Sequence, residues 1–427
     1  TITNYCTSGG RLNASEAVSA ADNMIAYFPQ RFTADVNGDS RDDIIQIRVF
    51  NGKWQFYTFL GNADGTVSSS PIKTLSSRDY DPNFNVFVTD VNGDGRADIV
   101  VHWTENGNAG YRQLLVYRGK TDGSFYEGIN TQTWNVHNQD VYPTKYFVGD
   151  FNGDGYGDFL AHYQEEDWTR TQLLYPGTSS GTFGTPVRTY TTNTYVADDP
   201  IYVGDFNGDG CEDILVHWVA GSGYRNLLLY MGQSNGAFVS ASTATSNVHD
   251  PSVYPTQFLV GDFNGDGCDD FLAHYQDIDW TRTHLLYLGT SSGEFGMPVR
   301  TYTTNTYIAD DPIYAGDVNG DGCADVIVHW TKSGIRQLLV YTSTSSGTFN
   351  SGVNFSTGNQ HTSDYTSRML VGDINGDSRS DFIVEWTAES DYFKTESIYV
   401  YRGTAEGSFL DRVHTVTAVK YYYYMQP

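Results

Sequence analysis

Short apolar runs return along this chain at a nearly fixed interval, separated by acidic or glycine-rich punctuation. The first run of each unit ends at an acidic loop, as in Tyr146-Phe147-Val148-Gly149, and the second begins where that loop ends, as in Ile99-Val100-Val101 or Asp158-Phe159-Leu160-Ala161-His162-Tyr163. A third run of the type Gln113-Leu114-Leu115-Val116-Tyr117 leads into a Gly-x-x-x-Gly-x-Phe hairpin, here Gly119 to Gly123 with Phe125. A fourth, more polar strand then opens a longer connector. Runs this short, rich in β-branched and aromatic residues and bounded by Gly and Asp, predict strands, and no helical period competes with them. The hairpin recurs at Gly61, Gly119, Gly177, Gly232, Gly289 and Gly403, with Ser343 in place of the first glycine in the sixth unit and Val67 in place of Phe in the first.

The acidic loop fixes the register. Its pattern is Asp-x-Asn-Gly-Asp-x-x-x-Asp, and the seven copies begin at Asp35, Asp90, Asp150, Asp205, Asp262, Asp317 and Asp373, a period near 56 residues. Four antiparallel strands per unit, repeated seven times, predict an all-β chain folded as a seven-bladed β-propeller of four-stranded antiparallel blades, with the loop between strands 1 and 2 of each blade. The predicted organisation is an N-terminal extension over residues 1–26, serving as an edge strand or inter-subunit segment, the propeller over 27–420, and a Tyr-rich tail over 421–427. Strand 4 of the last blade is read from Val413 to Val419, so closure by exchange of a terminal strand is not evident.

Oxygen-bearing side chains at loop positions 1, 3, 5 and 9, with glycines between them, suit a hard cation, and calcium is the natural occupant. The expected ligands are Asp35, Asn37, Asp39, Arg41 and Asp43; Asp90, Asn92, Asp94, Arg96 and Asp98; Asp150, Asn152, Asp154, Tyr156 and Asp158; and Asp205, Asn207, Asp209, Cys211 and Asp213. The last three blades supply Asp262, Asn264, Asp266, Cys268 and Asp270; Asp317, Asn319, Asp321, Cys323 and Asp325; and Asp373, Asn375, Asp377, Arg379 and Asp381. The seventh residue of each set enters through its backbone carbonyl, so any side chain is expected to be tolerated there. Up to seven structural Ca²⁺ ions follow, stapling hairpins rather than catalysing.

The charge balance supports that reading. Three Asp in each of seven loops account for 21 of the 51 acidic residues, and seven divalent ions would reduce the formal charge of −26 to −12. So acidic a chain argues against nucleic acid as a partner, and the absence of a long apolar run argues against membrane insertion. The chain opens on Thr1 without a basic-then-apolar leader and is expected to be a processed, extracellular protein. Cys211, Cys268 and Cys323 occupy one loop position in successive units and are expected too far apart to pair. Asn13 and Asn354 lie in glycosylation sequons.

The loop, followed by the Phe183-Gly184 and Phe295-Gly296 pairs, resembles the FG-GAP or VCBS repeat of integrin α-subunit propellers over nearly the whole chain. The overall plan is also similar to that of fungal propeller lectins. The resemblance implies an extracellular, calcium-bearing propeller used in adhesion or glycan binding. A second repeat lies above the first: residues 150–204 and 262–316 are near copies. Blades 1 and 7 diverge, as end units do.

Opposite the loops, a trio recurs in blades 2 to 6. The histidines are His102, His162, His217, His274 and His329; the aromatics that follow them are Trp103, Tyr163, Trp218, Tyr275 and Trp330; the arginines opening strand 3 are Arg112, Arg170, Arg225, Arg282 and Arg336. The aromatics offer faces for sugar stacking and the arginines grip hydroxyl pairs or carboxylates, while a purely structural reading joins blades through the same residues. Longer loops and connectors in blades 3 and 5 add Trp168, Tyr195, Trp280 and Tyr307 as pocket candidates. Blade 7 replaces the trio with Glu385 and Trp386, and blade 1 with Ile47 and Arg48.

The expectation is therefore a non-enzymatic, secreted or surface-associated binding propeller that recognises a glycan or an extracellular protein. A structural subunit of an extracellular filament, self-associating through its termini, is the alternative. A polysaccharide lyase or glycoside hydrolase is the third reading, disfavoured because the candidate groups come as equivalent copies rather than as one asymmetric constellation.

Overall fold

The computed structural model describes residues 30–421 apart from 51, 80–83, 105–110, 137–143, 166–168, 192–198, 220–223, 249–255, 277–280, 304–310, 361–365 and 390–393. The described strands form seven four-stranded sheets, and in every sheet the strands are sequence neighbours in order. All pairings are antiparallel, as in blade 5, where Thr256–Gly261, Asp270–Gln276, Arg282–Tyr287 and Val299–Thr303 follow one another across the sheet. Blade 1 starts at Gln30 and blade 7 ends with the strand Val413–Tyr421. The predicted seven-bladed propeller is the fold. The extension 1–26 with Asn13, and the tail beyond Tyr421, lie outside the described residues.

Burial explains why the apolar pattern changes from strand to strand. The second strand of blade 5 is buried along Asp270 to Tyr275, so it reads as an apolar run rather than an alternation. The fourth strand of blade 3, Val187-Arg188-Thr189-Tyr190-Thr191, alternates between half-buried and exposed, as the outermost strand of a blade should. Each apolar cluster sits between neighbouring blades. Ile45 and Phe56 of blade 1 pack with Val88 and Tyr117 of blade 2, and Ile44 and Phe59 of blade 1 pack with Leu370 and Ile398 of blade 7. A single blade thus cannot bury its own faces.

Ring closure is made by packing and hydrogen bonds, without an exchanged strand among the described residues. In each blade the backbone N–H at loop position 8 donates to the carbonyl of the first loop Asp of the preceding blade. Six such bonds run from Ala97 to Asp35 through to Ser380 to Asp317, and the seventh, Asp42 N–H to Asp373 O at 2.8 Å, crosses from blade 1 back to blade 7. Thr33 Oγ1 donates to Val371 O at 2.9 Å beside it.

The divergence of blades 1 and 7 then has a physical reason. Glu385, where blades 2 to 6 carry histidine, forms a buried ion pair with Arg31 of blade 1 and accepts from Gln46 Nε2 at 2.9 Å. Arg48, in the aromatic position of blade 1, donates to Gln46 Oε1 and stacks on Tyr57 with 4.4 Å from the guanidinium carbon to the ring centre. The seam is a polar clasp.

The hairpin glycines mark a close approach between blades. A Cβ on Gly289 would lie 2.3 Å from Asp269 O and 2.6 Å from Phe206 O, the latter on the preceding blade. Among the described residues no helix is long and apolar enough to cross a membrane.

Candidate functional site

The acidic loop folds by satisfying its own backbone. In blade 5, Asp262 Oδ1 accepts from the N–H groups of Gly265 (2.6 Å) and Asp266 (3.1 Å), and Asp262 Oδ2 accepts from Gly267 N–H (2.8 Å). Asn264 accepts from Asp266 N–H at 2.9 Å and donates its amide to Asp266 Oδ2, while Asp266 Oδ1 accepts from Cys268 N–H at 2.9 Å. This ladder of side-chain to backbone bonds is what Asx residues offer in place of regular structure. It requires left-handed backbone at positions 4 and 6, met here by Gly265 (φ +73°) and Gly267 (φ +88°). Blades 1 and 7 place Ser40 and Ser378 in the same conformation at position 6.

The ninth residue has a further duty in all seven blades. Asp270 is fully buried, accepting from Phe263 N–H at 3.0 Å through Oδ2 and from Gly289 N–H of the glycine hairpin at 2.8 Å through Oδ1. The same two bonds recur at Asp43, Asp98, Asp158, Asp213, Asp325 and Asp381, with Ser343 as hairpin donor in blade 6. Loop and hairpin therefore share one end of every blade. Burial, opposed by these N–H bonds, pushes the ninth carboxyl up to about 8 in six blades and to about 9 in Asp213. Burial also raises the first Asp in blades 2 to 7.

Among the described residues no three His, Cys, Asp or Glu side chains gather as a metal set by themselves. The donor chemistry nonetheless fits calcium. The loop offers carboxylate, amide and carbonyl oxygens only, and its two left-handed positions are those that wrap a chain around such an ion.

The side chain at position 7, which is Arg, Tyr or Cys, packs against glycine 4 of the preceding blade. A Cβ on Gly153 would lie 3.0 Å from Cys211 Sγ, and one on Gly93 would lie 2.9 Å from the Tyr156 ring. In blades 1, 2 and 7 the residue is arginine, and Arg41, Arg96 and Arg379 form ion pairs with Asp39, Asp94 and Asp377. Cys211, Cys268 and Cys323 are buried and unpaired, as their spacing predicts.

The His-aromatic-Arg trio is mostly interior. His102, His162, His217, His274 and His329 are buried, as are Arg112, Arg170, Arg282, Arg336, Tyr163 and Tyr275, whereas Trp103, Trp218 and Trp330 are half-buried. Their contacts run to the next blade. His102 lies 4.2 Å from Tyr146 between ring centres, His217 4.7 Å from Phe258, and His329 6.1 Å from Phe382. The Arg112 guanidinium lies 5.4 Å from the Tyr163 ring, and that of Arg336 lies 5.2 Å from Trp386. Burial, with a nearby cation adding to it, lowers His162 and His274 to about 3, so both are neutral. The histidines and the described arginines join blades, while the three tryptophans keep part of their surface exposed. Trp330 donates to Asn354 Oδ1 at 3.0 Å, placing that sequon asparagine in a strand with its amide engaged. Trp168, Tyr195, Trp280, Tyr307 and the Arg225 side chain lie outside the described residues.

The exposed aromatics are elsewhere. Tyr190 is 60% exposed and Tyr302 63%, on the fourth strands of the near-copy blades 3 and 5. Arg188 lies 5.7 Å from the Tyr190 ring, and Arg300 lies 5.7 Å from that of Tyr302. Arg188 also pairs with Glu165 at 3.2 Å, and Arg300 donates to Tyr275 Oη at 2.6 Å. Both pairs lie in a Val-Arg-Thr-Tyr segment shared by the near-copy stretches 150–204 and 262–316. Its alternation was the signal that Arg and Tyr share one outward face.

A family profile described as an FG-GAP-like repeat matches residues 35–101 and 150–216. No curated protein matches the chain. Among solved structures, the Tc holotoxin pore of Photorhabdus luminescens is 18% identical with a TM-score of 0.43, over 93% of this chain and 20% of that one. The present chain thus spans about a fifth of that protein's length. AofleA from Arthrobotrys oligospora is 11% identical with a TM-score of 0.38, over 79% and 86% of the two chains. Aleuria aurantia lectin, in complex with α-methyl-L-fucoside, is 13% identical with a TM-score of 0.33, over 81% and 95%. The chain carries FG-GAP-like repeats, set in a seven-bladed β-propeller.

Proposed function

We propose that this chain is a calcium-stabilised, non-catalytic extracellular propeller that binds glycans through tyrosine-arginine pairs on the outer strands of blades 3 and 5. The observation that carries the reading is the duplicated exposure of Tyr190 beside Arg188 and of Tyr302 beside Arg300. An exposed ring face stacks against the C–H face of a pyranose, and the adjacent guanidinium donates to a hydroxyl pair or a sugar carboxylate. Two equivalent patches, with blade 4 between them, favour a repeated or branched glycan through effective concentration.

A glycan array probed in calcium, with the wild-type chain and a Tyr190→Ala/Tyr302→Ala variant, tests the proposal. Glycan binding that falls at least tenfold in the variant is the expected outcome, with stability unchanged to within about 0.5 kcal/mol because both rings are exposed. No binding to any glycan, or binding that the variant retains in full, would contradict it.

A further inference from the structure

The seven loops share their acidic residues but not their charge balance. In blades 1, 2 and 7 the position-7 arginine is held at two ends. Its terminal nitrogen pairs with the fifth-position Asp, and its Nε donates to the carbonyl of the hairpin glycine, at 3.0 Å for Arg41 to Gly61 and 3.1 Å for both Arg96 to Gly119 and Arg379 to Gly403. A guanidinium fixed at both ends is part of the loop, unlike a swinging surface side chain. In blades 3 to 6 the same position holds Tyr156, Cys211, Cys268 and Cys323. There, among the described residues, Asp154, Asp209, Asp266 and Asp321 have no cationic partner. The three arginine loops are contiguous around the ring, because blade 7 adjoins blade 1 across the Asp42–Asp373 seam.

We propose that the loops of blades 3 to 6 are the cation sites of this ring, and that in blades 7, 1 and 2 the arginine takes the place of the ion. The inference rests on the reading that FG-GAP-like loops here bind calcium, and narrows it to one arc. A divalent ion entering an arginine loop meets a like charge already seated on one of its carboxylate donors, and must displace it from both the carboxylate and the glycine carbonyl. The affinity of those loops for calcium is accordingly at least tenfold lower than that of the arginine-free loops. The ring therefore has a seam arc braced without metal and an opposite arc whose loops depend on it. The closure between the two ends of the chain falls within the metal-independent arc.

Native mass spectrometry of the full chain titrated with Ca²⁺, alongside calorimetric titration, counts the ions. Four tight ions are expected. Arg96→Cys, which installs the residue that blades 4 to 6 carry, should raise the count to five. Cys268→Arg, which installs the residue of blades 1, 2 and 7, should lower it to three. Seven ions in one affinity class, or counts that neither variant changes, overturn the inference while leaving calcium binding intact. A count of zero in the folded wild-type chain overturns the calcium reading itself. Should one variant fail to fold, the other variant and the wild-type count still decide the matter.

Discussion

Asp270→Ala is expected to destabilise the chain by roughly 2–6 kcal/mol even in calcium-free buffer, because it orphans two buried backbone donors at about 1–3 kcal/mol each. Those donors are the N–H of Phe263, inside the loop, and of Gly289, on the hairpin, and the carboxylate between them is fully buried. Water cannot replace it without opening the junction of blades 4 and 5, where Gly289 approaches Phe206 O. Asp266→Ala is the control. Its side chain accepts bonds only within its own loop, from Asn264 and Cys268, so its loss in calcium-free buffer should cost about 1 kcal/mol or less. Urea denaturation in chelator reads the difference. If the two variants prove equally mild, the ninth Asp is not the structural keystone of the blade.

Glu385→Ala should cost a further large amount, about 3–5 kcal/mol, by leaving the Arg31 guanidinium buried at the seam without its counter-charge. Arg31→Met combined with Glu385→Met should recover most of that loss, since well-packed apolar side chains commonly replace a buried ion pair at little net cost. Gln46 Oε1 keeps its bond from Arg48, but Gln46 Nε2 loses its acceptor once Glu385 is replaced, and that orphaned donor is the part of the loss the double variant does not recover. A double-mutant cycle by chemical denaturation therefore yields a coupling energy of several kcal/mol. Additive single effects would mean that Arg31 and Glu385 do not act as a clasp. Closure would then rest on the backbone bond from Asp42 to Asp373 and the apolar contacts of Ile44 and Phe59.

What the sequence revealed and what it concealed divide along the range of the interactions. The Asp-x-Asn-Gly-Asp loop is legible because its chemistry is local: Asp262 bonds groups three to five residues ahead, and Gly265 and Gly267 adopt angles that few other residues favour. With seven loops in register, strand order and blade number follow. The role of His102 was not legible, because its partner Tyr146 belongs to the next blade, and both the sugar-stacking and the blade-joining readings fit the same repeat. The face of a propeller blade that looks solvated in a strand diagram is covered by its neighbour. The packing of position 7 was hidden for the same reason, since Cys211 meets Gly153 of the preceding unit. The clasp of Glu385 with Arg31 joins residues from opposite ends of the chain, and appeared in sequence only as a broken pattern. Arg188 and Tyr190 were visible as a duplicated strand, yet their exposure follows from the outermost place of that strand.

The acidic loops are proposed as cation-bearing staples of a propeller that stays closed at its seam without them. Scanning calorimetry of the full chain in calcium and in chelator tests that claim most directly. Each saturated site contributes about 2.7 kcal/mol at a hundredfold excess over its dissociation constant, so removing calcium should lower the melting temperature by roughly 10 °C or more. A melting temperature unchanged between calcium and chelator would contradict it.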